Sequence, residues 1–293
     1  KGVACSVHAE LRAELGASNS AEECMVGICA ENCVEWLVTD LSCILSGVTS
    51  IPIDPPLAEA AIASVITDCS LRVIFCSFQC VSKLLDIAEA RSSGSSLPLT
   101  KLIVFSGQSQ ADLDSTSNSC KCRASAVGIQ IQLFSAFEER GLSRLDDDAG
   151  CYFESSACQG RDRQSDDICT IVYTSGSTGK PKGAILSDQI LRRRIGEEFL
   201  VPTPLVVVSY LPLAHSFDRE NCLSCFLKGG RIAFHRGVVS DIFSTLQKAQ
   251  PTTFSSTPRL WNELHQQFLD SFASAQATDQ TNATNTPIEI LRK

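Results

Sequence analysis

Methionine occurs once in this chain, at Met25, and the chain opens on Lys1 without the basic, apolar and small-residue succession of a secretory leader. The expectation is a segment of a longer protein, with any upstream address out of view. Long apolar runs are also missing. The best candidate, "WLVTDLSCILSGVTSIPI", is interrupted by Asp40 and Gly47 and does not supply the roughly 18 to 20 apolar residues of a spanning helix. That argues against a membrane span and leaves peripheral membrane association open. Positive charge is in deficit, 25 Lys and Arg against 33 Asp and Glu, for a formal net charge of −8. Such a balance lacks the basic face that neutralises phosphates, so no nucleic-acid partner is expected.

What is present is a chain of 293 residues, 44% hydrophobic and 20% charged, long enough to bury one large core or two smaller ones. Its 15 cysteines fall short of the density of a disulfide scaffold. Cys29, Cys43, Cys76 and Cys169 lie inside apolar runs, where a small hydrophobe serves. Reduced, mostly buried thiols and an intracellular setting follow, cytoplasmic or on the cytosolic face of a membrane such as endoplasmic reticulum or peroxisome. Cys120-x-Cys122 and Cys222-x-x-Cys225 lack a second pair at zinc spacing, and "NCLSCFL" is better explained as one helix face, so no metal ligands are assigned.

Segment types alternate along the chain. "CMVGICA", "VTSIPID", "RVIFCS" and "KLIVFSG" have the character of strands, and the stretches between them carry apolar residues at helical spacing. Gly47 and the cluster Pro52, Pro55, Pro56 punctuate the turns. Residues 107–128 and 141–167 are polar and turn-forming, a loop-rich insert over about 107–167 bracketing "IQLFSAFEER". Alternation then resumes through "ICTIVYT", a helix from about Asp188, "LVVVSYLP", "ENCLSCFL", "GRIAFH", "DIFSTLQKAQ", "TTFSS" and a long helix after Pro258. This pattern predicts a layered α/β fold with mostly parallel sheets.

The most informative stretch is "TIVYTSGSTGKPKGAIL", residues 170–186. After an apolar strand come the hydroxyls of Thr174, Ser175, Ser177 and Thr178 and the backbone N–H groups of Gly176 and Gly179, which can turn inward around an anion. Lys180 and Lys182 add charged donors, with Pro181 stiffening their approach. A Walker loop is excluded: its first glycine would fall on Thr174, and Pro181 stands where Ser or Thr should follow Lys180. A structureless Gly/Ser linker has no use for Lys-Pro-Lys-Gly. A polyphosphate suits the loop.

"YTSGSTGKPKGAILS" resembles the phosphate-binding signature of the adenylate-forming (AMP-dependent synthetase and ligase) superfamily. "SYLPLAHSFDRE" at 209–220, "KGGRIAFHRG", "QPTTFSSTPRLWNEL" and "VGICAENCVEWLVTDLSCILSGVTSIPID" are similar to segments of its long-chain fatty acyl-CoA synthetases. The likeness spans most of residues 23–268. It implies the layered αβαβα N-terminal domain of these enzymes, in truncated form: a partial lead-in over 1–22, a partial AMP-binding domain over 23–275, and a polar tail or truncation point over 276–293.

The resemblance also implies a reaction. ATP, with Mg²⁺, and a long-chain fatty acid give an acyl-adenylate and pyrophosphate, and coenzyme A then displaces AMP. Thr174, Ser175, Gly176, Ser177, Thr178 and Gly179 match the loop that holds the β- and γ-phosphates, and Lys182 matches the motif lysine. His215 falls where the family brings a ring near the carboxylate and adenylate; the competing view is a partly buried histidine capping "SFDRE". Asp218-Arg219 is expected as a structural ion pair, Arg259 as a helix-start residue and the Arg192–Arg194 triplet as a solvated helix face. Asp188 replaces the histidine usual after the loop. The family's later motifs for ribose, hinge and adenylating lysine have no counterpart here, so the isolated chain is expected to be inactive. Two other functions fit the same residues: an adenylation-fold binding or regulatory protein, and an adenylating enzyme for another carboxylate.

Overall fold

The computed structural model describes residues 2–15, 24–91, 96–105, 119–146, 164–174, 180–196, 204–235 and 241–279. The chain divides into two compact units, Lys1–Thr252 and Thr253–Lys293. In the first, seven strands make one sheet: β1 (Met25–Cys29), β2 (Thr49–Ile53), β3 (Val73–Ser77), β4 (Lys101–Phe105), β5 (Gln130–Leu133), β6 (Ile168–Thr174) and β7 (Lys182–Ser187), in the order β5-β4-β3-β1-β2-β6-β7. Every neighbouring pair is parallel except β6 and β7, which form an antiparallel hairpin. A second, two-stranded parallel sheet holds β8 (Val206–Ser209) and β9 (Arg231–Phe234).

The inner strands are covered on both faces, which is why β1, β2 and β3 are nearly continuous apolar runs rather than alternating ones. One face packs against α3 (Glu59–Asp68), α4 (Phe78–Arg91) and α5 (119–126), with Ile62, Ile66, Leu84, Leu85 and Ala124 in a single apolar cluster. The other packs against α1 (Gly2–Leu15), α2 (Val34–Ser46), α6 (Phe134–Asp146), α7 (Asp188–Gly196) and α8 (Ser216–Leu227), through Leu11, Trp36, Phe137, Leu191 and Leu223. Helix α8 also supports the small sheet, with Cys225 packed against Leu205, Val207 and Ile232. Helix α9 (Ile242–Ala249) follows β9. Helix, sheet, helix, sheet is the layered α/β arrangement that the alternation predicts, and α2 ends where punctuation was expected, on Gly47 at φ 70, its N–H bonding the Cys43 and Ile44 carbonyls.

Three segments differ from expectation, the first being 141–146, expected as turn-forming and found as the C-terminal end of α6. Residues 107–128 were expected as loop, yet 119–126 form α5. Its apolar stripe is only Cys120 and Ala124, too narrow to register as periodicity, and Arg123 pins it to α4 through Asp86 at 2.5 Å and Glu89 at 2.7 Å. "TTFSS" forms no strand. Thr252 meets β8 at a single point, its N–H donating to the Val206 carbonyl and its hydroxyl accepting from the Val206 N–H, both at 2.9 Å. In the second unit, α10 (Pro258–Asp279) is the long helix expected after Pro258.

Described cysteines follow the core: Cys29, Cys43, Cys76, Cys169, Cys222 and Cys225 are buried free thiols. Cys222 and Cys225 share the inner side of α8, as "NCLSCFL" indicates.

Candidate functional site

Strands β1, β2, β3 and β6 run in the same direction, so Cys29, Ile53, Ser77 and Thr174 all end at one edge of the sheet. Ligands of open α/β sheets bind beyond this carboxyl edge. Strand β6 delivers the hydroxyl- and glycine-rich motif there. In the hairpin register Thr174 faces Lys182 and Tyr173 faces Gly183. Directly opposed residues of an antiparallel pair project to the same side, so the Thr174 hydroxyl and the Lys182 ammonium rise together at the root of the loop. Lys180 and Lys182 are exposed. Ser175, Gly176, Ser177, Thr178 and Gly179, the remaining residues assigned to phosphate, lie outside the described residues.

The hairpin is anchored more by side chains than by its ladder. Strand β2 pairs with β6 only at Ser50 and Thr170, and Pro52 has no N–H with which to extend the pairing. Two hydroxyls compensate: Thr49 Oγ1 donates to the Ile168 carbonyl at 2.9 Å and Thr170 Oγ1 to the Ser50 carbonyl at 2.8 Å. Gly183 is required by space, because a Cβ there would lie 2.6 Å from Ile171 Cγ2.

His215 arrives at the same edge from the small sheet. Asn32, just past β1, holds the segment that leads to it: its amide nitrogen donates to Ser209 Oγ at 2.9 Å and the Leu211 carbonyl at 2.7 Å, while its Oδ1 accepts from the Leu213 N–H at 3.0 Å. His215 then occupies the N-cap position of α8 without a side-chain capping bond, and its side chain is 57% exposed, with Nε2 3.9 Å from Asp54 Oδ2. The partly buried capping histidine is therefore not what forms; the imidazole is open to a ligand. Burial pushes the Asp54 carboxyl upward, an effect opposed by His215 and Lys83. Lys83 fixes the turn after Asp54, donating to the Pro55 carbonyl at 2.7 Å and the Leu57 carbonyl at 2.6 Å.

Asp218 and Arg219 do not pair with each other, since successive helix residues point about 100° apart. Arg219 reaches across to Asp40 on α2, Nη2 to Oδ1 at 2.6 Å and Nε to Oδ2 at 2.7 Å, and Nη2 also donates to Ser50 Oγ at 3.1 Å. Asp218 accepts from Ser209 Oγ at 2.6 Å and from Asn32 at 3.4 Å. Burial pushes its carboxyl up to about 6 against those hydrogen bonds. Both residues are structural, as expected, but each has its own partner.

The substituted Asp188 is buried at the start of α7, bonded by Arg192 one turn on and by the Cys169 thiol at 3.8 Å. Arg192, Arg193 and Arg194 form an exposed face, with Arg194 paired to Glu220 at 2.6 Å. Arg259 is exposed in the first turn of α10. Among the described residues, no group of three or more His, Cys, Asp or Glu side chains is placed to hold a metal ion.

Asp54 and Asn32 were not singled out by sequence. Asp54 had a signal: it is the first residue beyond a buried strand, at the carboxyl end. Asn32 had none, because its partners lie 177 to 186 residues further along the chain.

The sequence profile of the AMP-binding enzyme family matches residues 4–287, and the chain belongs to that family. It is 27% identical over 245 residues to fatty acyl-CoA synthetase A of Dictyostelium discoideum, covering 82% of this chain and 33% of that protein. It is 30% identical over 243 residues to the peroxisomal long chain acyl-CoA synthetase 6 of Arabidopsis thaliana, covering 82% of this chain and 31% of that one. The chain thus spans about a third of the length of these relatives. Its fold is shared with the adenylation and carrier didomain of the carboxylic acid reductase of Segniliparus rugosus, solved with AMP, at a TM-score of 0.75 and 18% identity over 98% of this chain and 38% of that chain. The N-terminal domain of FACL13 from Mycobacterium tuberculosis superposes at a TM-score of 0.63 with 16% identity, over 90% of this chain and 56% of that chain.

Proposed function

We propose that this chain forms the triphosphate-binding and part of the acyl-binding region of a long-chain fatty acid–CoA ligase. The observation that carries this is the hairpin: a hydroxyl- and glycine-rich loop closed between Thr174 and Lys182 at the carboxyl edge of a parallel sheet. The kinship with acyl-CoA synthetases supports the choice of acid.

The chemistry asks for such a loop. A carboxylate oxygen is a poor nucleophile toward a polyanionic triphosphate, so charge must be offset and the leaving pyrophosphate held in line. Thr174 offers a hydroxyl and Lys182 a fixed cation where the β- and γ-phosphates would rest; Ser175 to Gly179 complete the donor set. Mg²⁺ would enter with the triphosphate and supply further charge neutralisation. His215, exposed beside Asp54 at the same edge, would donate a hydrogen bond to the acid or to the acyl-adenylate. Coenzyme A would then take the acyl group in the second half-reaction.

The test is acyl-CoA formation from ATP, coenzyme A and acids of graded length by the chain continued to the full length of its relatives. Each buried methylene contributes about 0.8 kcal/mol, so chains of about twelve carbons or more should exceed acetate by several orders of magnitude in kcat/KM. Equal efficiency on acetate and palmitate would reject the long-chain acid and keep the adenylating ligase. Absence of pyrophosphate exchange into ATP with any acid would reject the ligase.

A further inference from the structure

A buried chain of hydrogen bonds ties Asp218 to the segment that carries His215. Asn32 Nδ2 donates to Ser209 Oγ at 2.9 Å, and Ser209 Oγ donates in turn to Asp218 Oδ2 at 2.6 Å. The same Asn32 amide grips the segment itself, through the Leu211 carbonyl at 2.7 Å and the Leu213 N–H at 3.0 Å. All three side chains belong to buried residues. Past Leu213 the chain turns once, the His215 N–H donating to the Pro212 carbonyl at 3.0 Å, and the imidazole emerges 57% exposed.

Donation along this chain has one direction. The Leu211 carbonyl and the Leu213 N–H fix which end of the Asn32 amide is which, Ser209 accepts from Asn32, and the hydrogen of Ser209 is left for Asp218. A carboxylate is the group that accepts there and gives nothing back. Asp218 also lies in the first turn of α8, where the peptide dipoles favour a negative charge.

We propose that Asp218 is a positioning residue for His215: its carboxylate sets the donor order of Ser209 and Asn32, and that order fixes where the 209–215 segment holds the imidazole. Asp218 acts through two other side chains. The positioning stands on the chain alone; its effect on the acid substrate rests on the ligase reading.

The hold depends on charge. Burial raises the Asp218 carboxyl to about 6, against the hydrogen bonds of Ser209, Asn32 and the Tyr210 N–H. Above that pH the bonds are charge-assisted; below it the acid is a weaker acceptor and brings a hydrogen into a place already supplied with donors. The segment then relaxes. The groups around Asp218 leave this titration to it. Cys222, one turn on, is pushed up to about 12 by burial and by the Asp218 charge. Asp40 of α2 is taken by Arg219, and Arg192 and Arg194 of α7 by Asp188 and Glu220. Glu31 beside Asn32 and Arg231 of β9 are exposed.

The experiment follows the Leu213 backbone amide by ¹⁵N NMR in the 293-residue chain as pH falls from about 7.5 to about 5. The expected result is one step with its midpoint at about 6. Asp218→Asn keeps an acceptor and cannot titrate, so its Leu213 signal should stay near the low-pH wild-type position throughout. His215→Gln should keep the step, which separates the Asp218 proton from that of the imidazole. In the chain continued to the length of its relatives, Asp218→Asn should raise the acid KM at neutral pH and leave the ATP KM in place. A Leu213 signal that does not move, a step that survives Asp218→Asn or vanishes in His215→Gln, or equal rises in both KM values would each overturn the proposal. The wild-type titration keeps the test decisive if a variant fails to fold. Absence of pyrophosphate exchange in the continued wild-type chain would instead reject the ligase reading, with the positioning decided by Leu213.

Discussion

Arg219 of α8 donates two hydrogen bonds to the carboxylate of Asp40 on α2, at 2.6 and 2.7 Å, with both side chains withdrawn from solvent. The contact joins the helix that supports the small sheet to the helix that covers the large one. Removing one partner of such a pair leaves a buried, uncompensated charge. Asp40→Ala should therefore destabilise the chain by roughly 3–5 kcal/mol. The double variant Asp40→Ala, Arg219→Met should cost less than the sum of the two single changes. Denaturant midpoints of the four proteins measure both claims, and strict additivity would show that the two charges are independently solvated.

Asp218 gives a pH dependence of definite sign. Its carboxyl is raised from 3.8 to about 6 in the fold, so the folded state holds a proton that the unfolded state has released. Stability from the neutral form is fully present below the unfolded value and is lost as pH rises through about 6. Between pH 4 and pH 7.5 the native protein should lose on the order of 2 kcal/mol that Asp218→Asn does not lose. Parallel stability profiles for the two proteins over that window would place the titration elsewhere.

Lys182→Ala removes one charged donor from the root of the loop while leaving the strand pairing with Thr174 intact. Nucleotide binding should weaken by about 1.5–3 kcal/mol, roughly ten- to a hundredfold. Equilibrium dialysis with ATP reads the loss, and thermal unfolding of the free protein should not move. Unchanged affinity would reduce Lys182 to a bystander.

Asn32→Leu strips the support from the 209–213 segment and takes from the Leu213 N–H and the Leu211 carbonyl their side-chain partner. Stability should fall by about 1–3 kcal/mol. On the proposed ligase reading, the chain continued to the length of its relatives should show the acid KM rising more than the ATP KM, because His215 moves and the hairpin does not. Equal changes in both constants would assign Asn32 to general stability.

The fold was legible in the sequence wherever one face of an element repeats. Strands β1 to β4 and β6 announce themselves as apolar runs ending in turn residues, and α2, α3 and α4 as apolar residues at helical spacing. α5 was not legible, because Cys120 and Ala124 are its whole buried stripe and its anchor is the ionic contact of Arg123 with α4. At the candidate site, Thr174 and Lys182 stand out in the sequence through the unusual density of hydroxyls, glycines and lysines in one short stretch, and the fold places them opposite each other. The partner of Arg219 was not, since nothing local distinguishes Asp40 from a surface acid among the apolar residues of α2. Nor was Asn32, whose role exists only once β1 and β8 have been brought together.

The facing of Thr174 and Lys182 across the hairpin has a consequence for how this loop tolerates change in length. Side chains on a strand alternate between its two sides, so a single inserted or deleted residue that passed into β7 would turn every position over. Lys182 would swing to the side opposite Thr174, and the position opposite Tyr173, where only Gly183 fits, would receive a side chain. For the proposed phosphate site, the number of residues between the two strands therefore matters alongside the hydroxyls they carry.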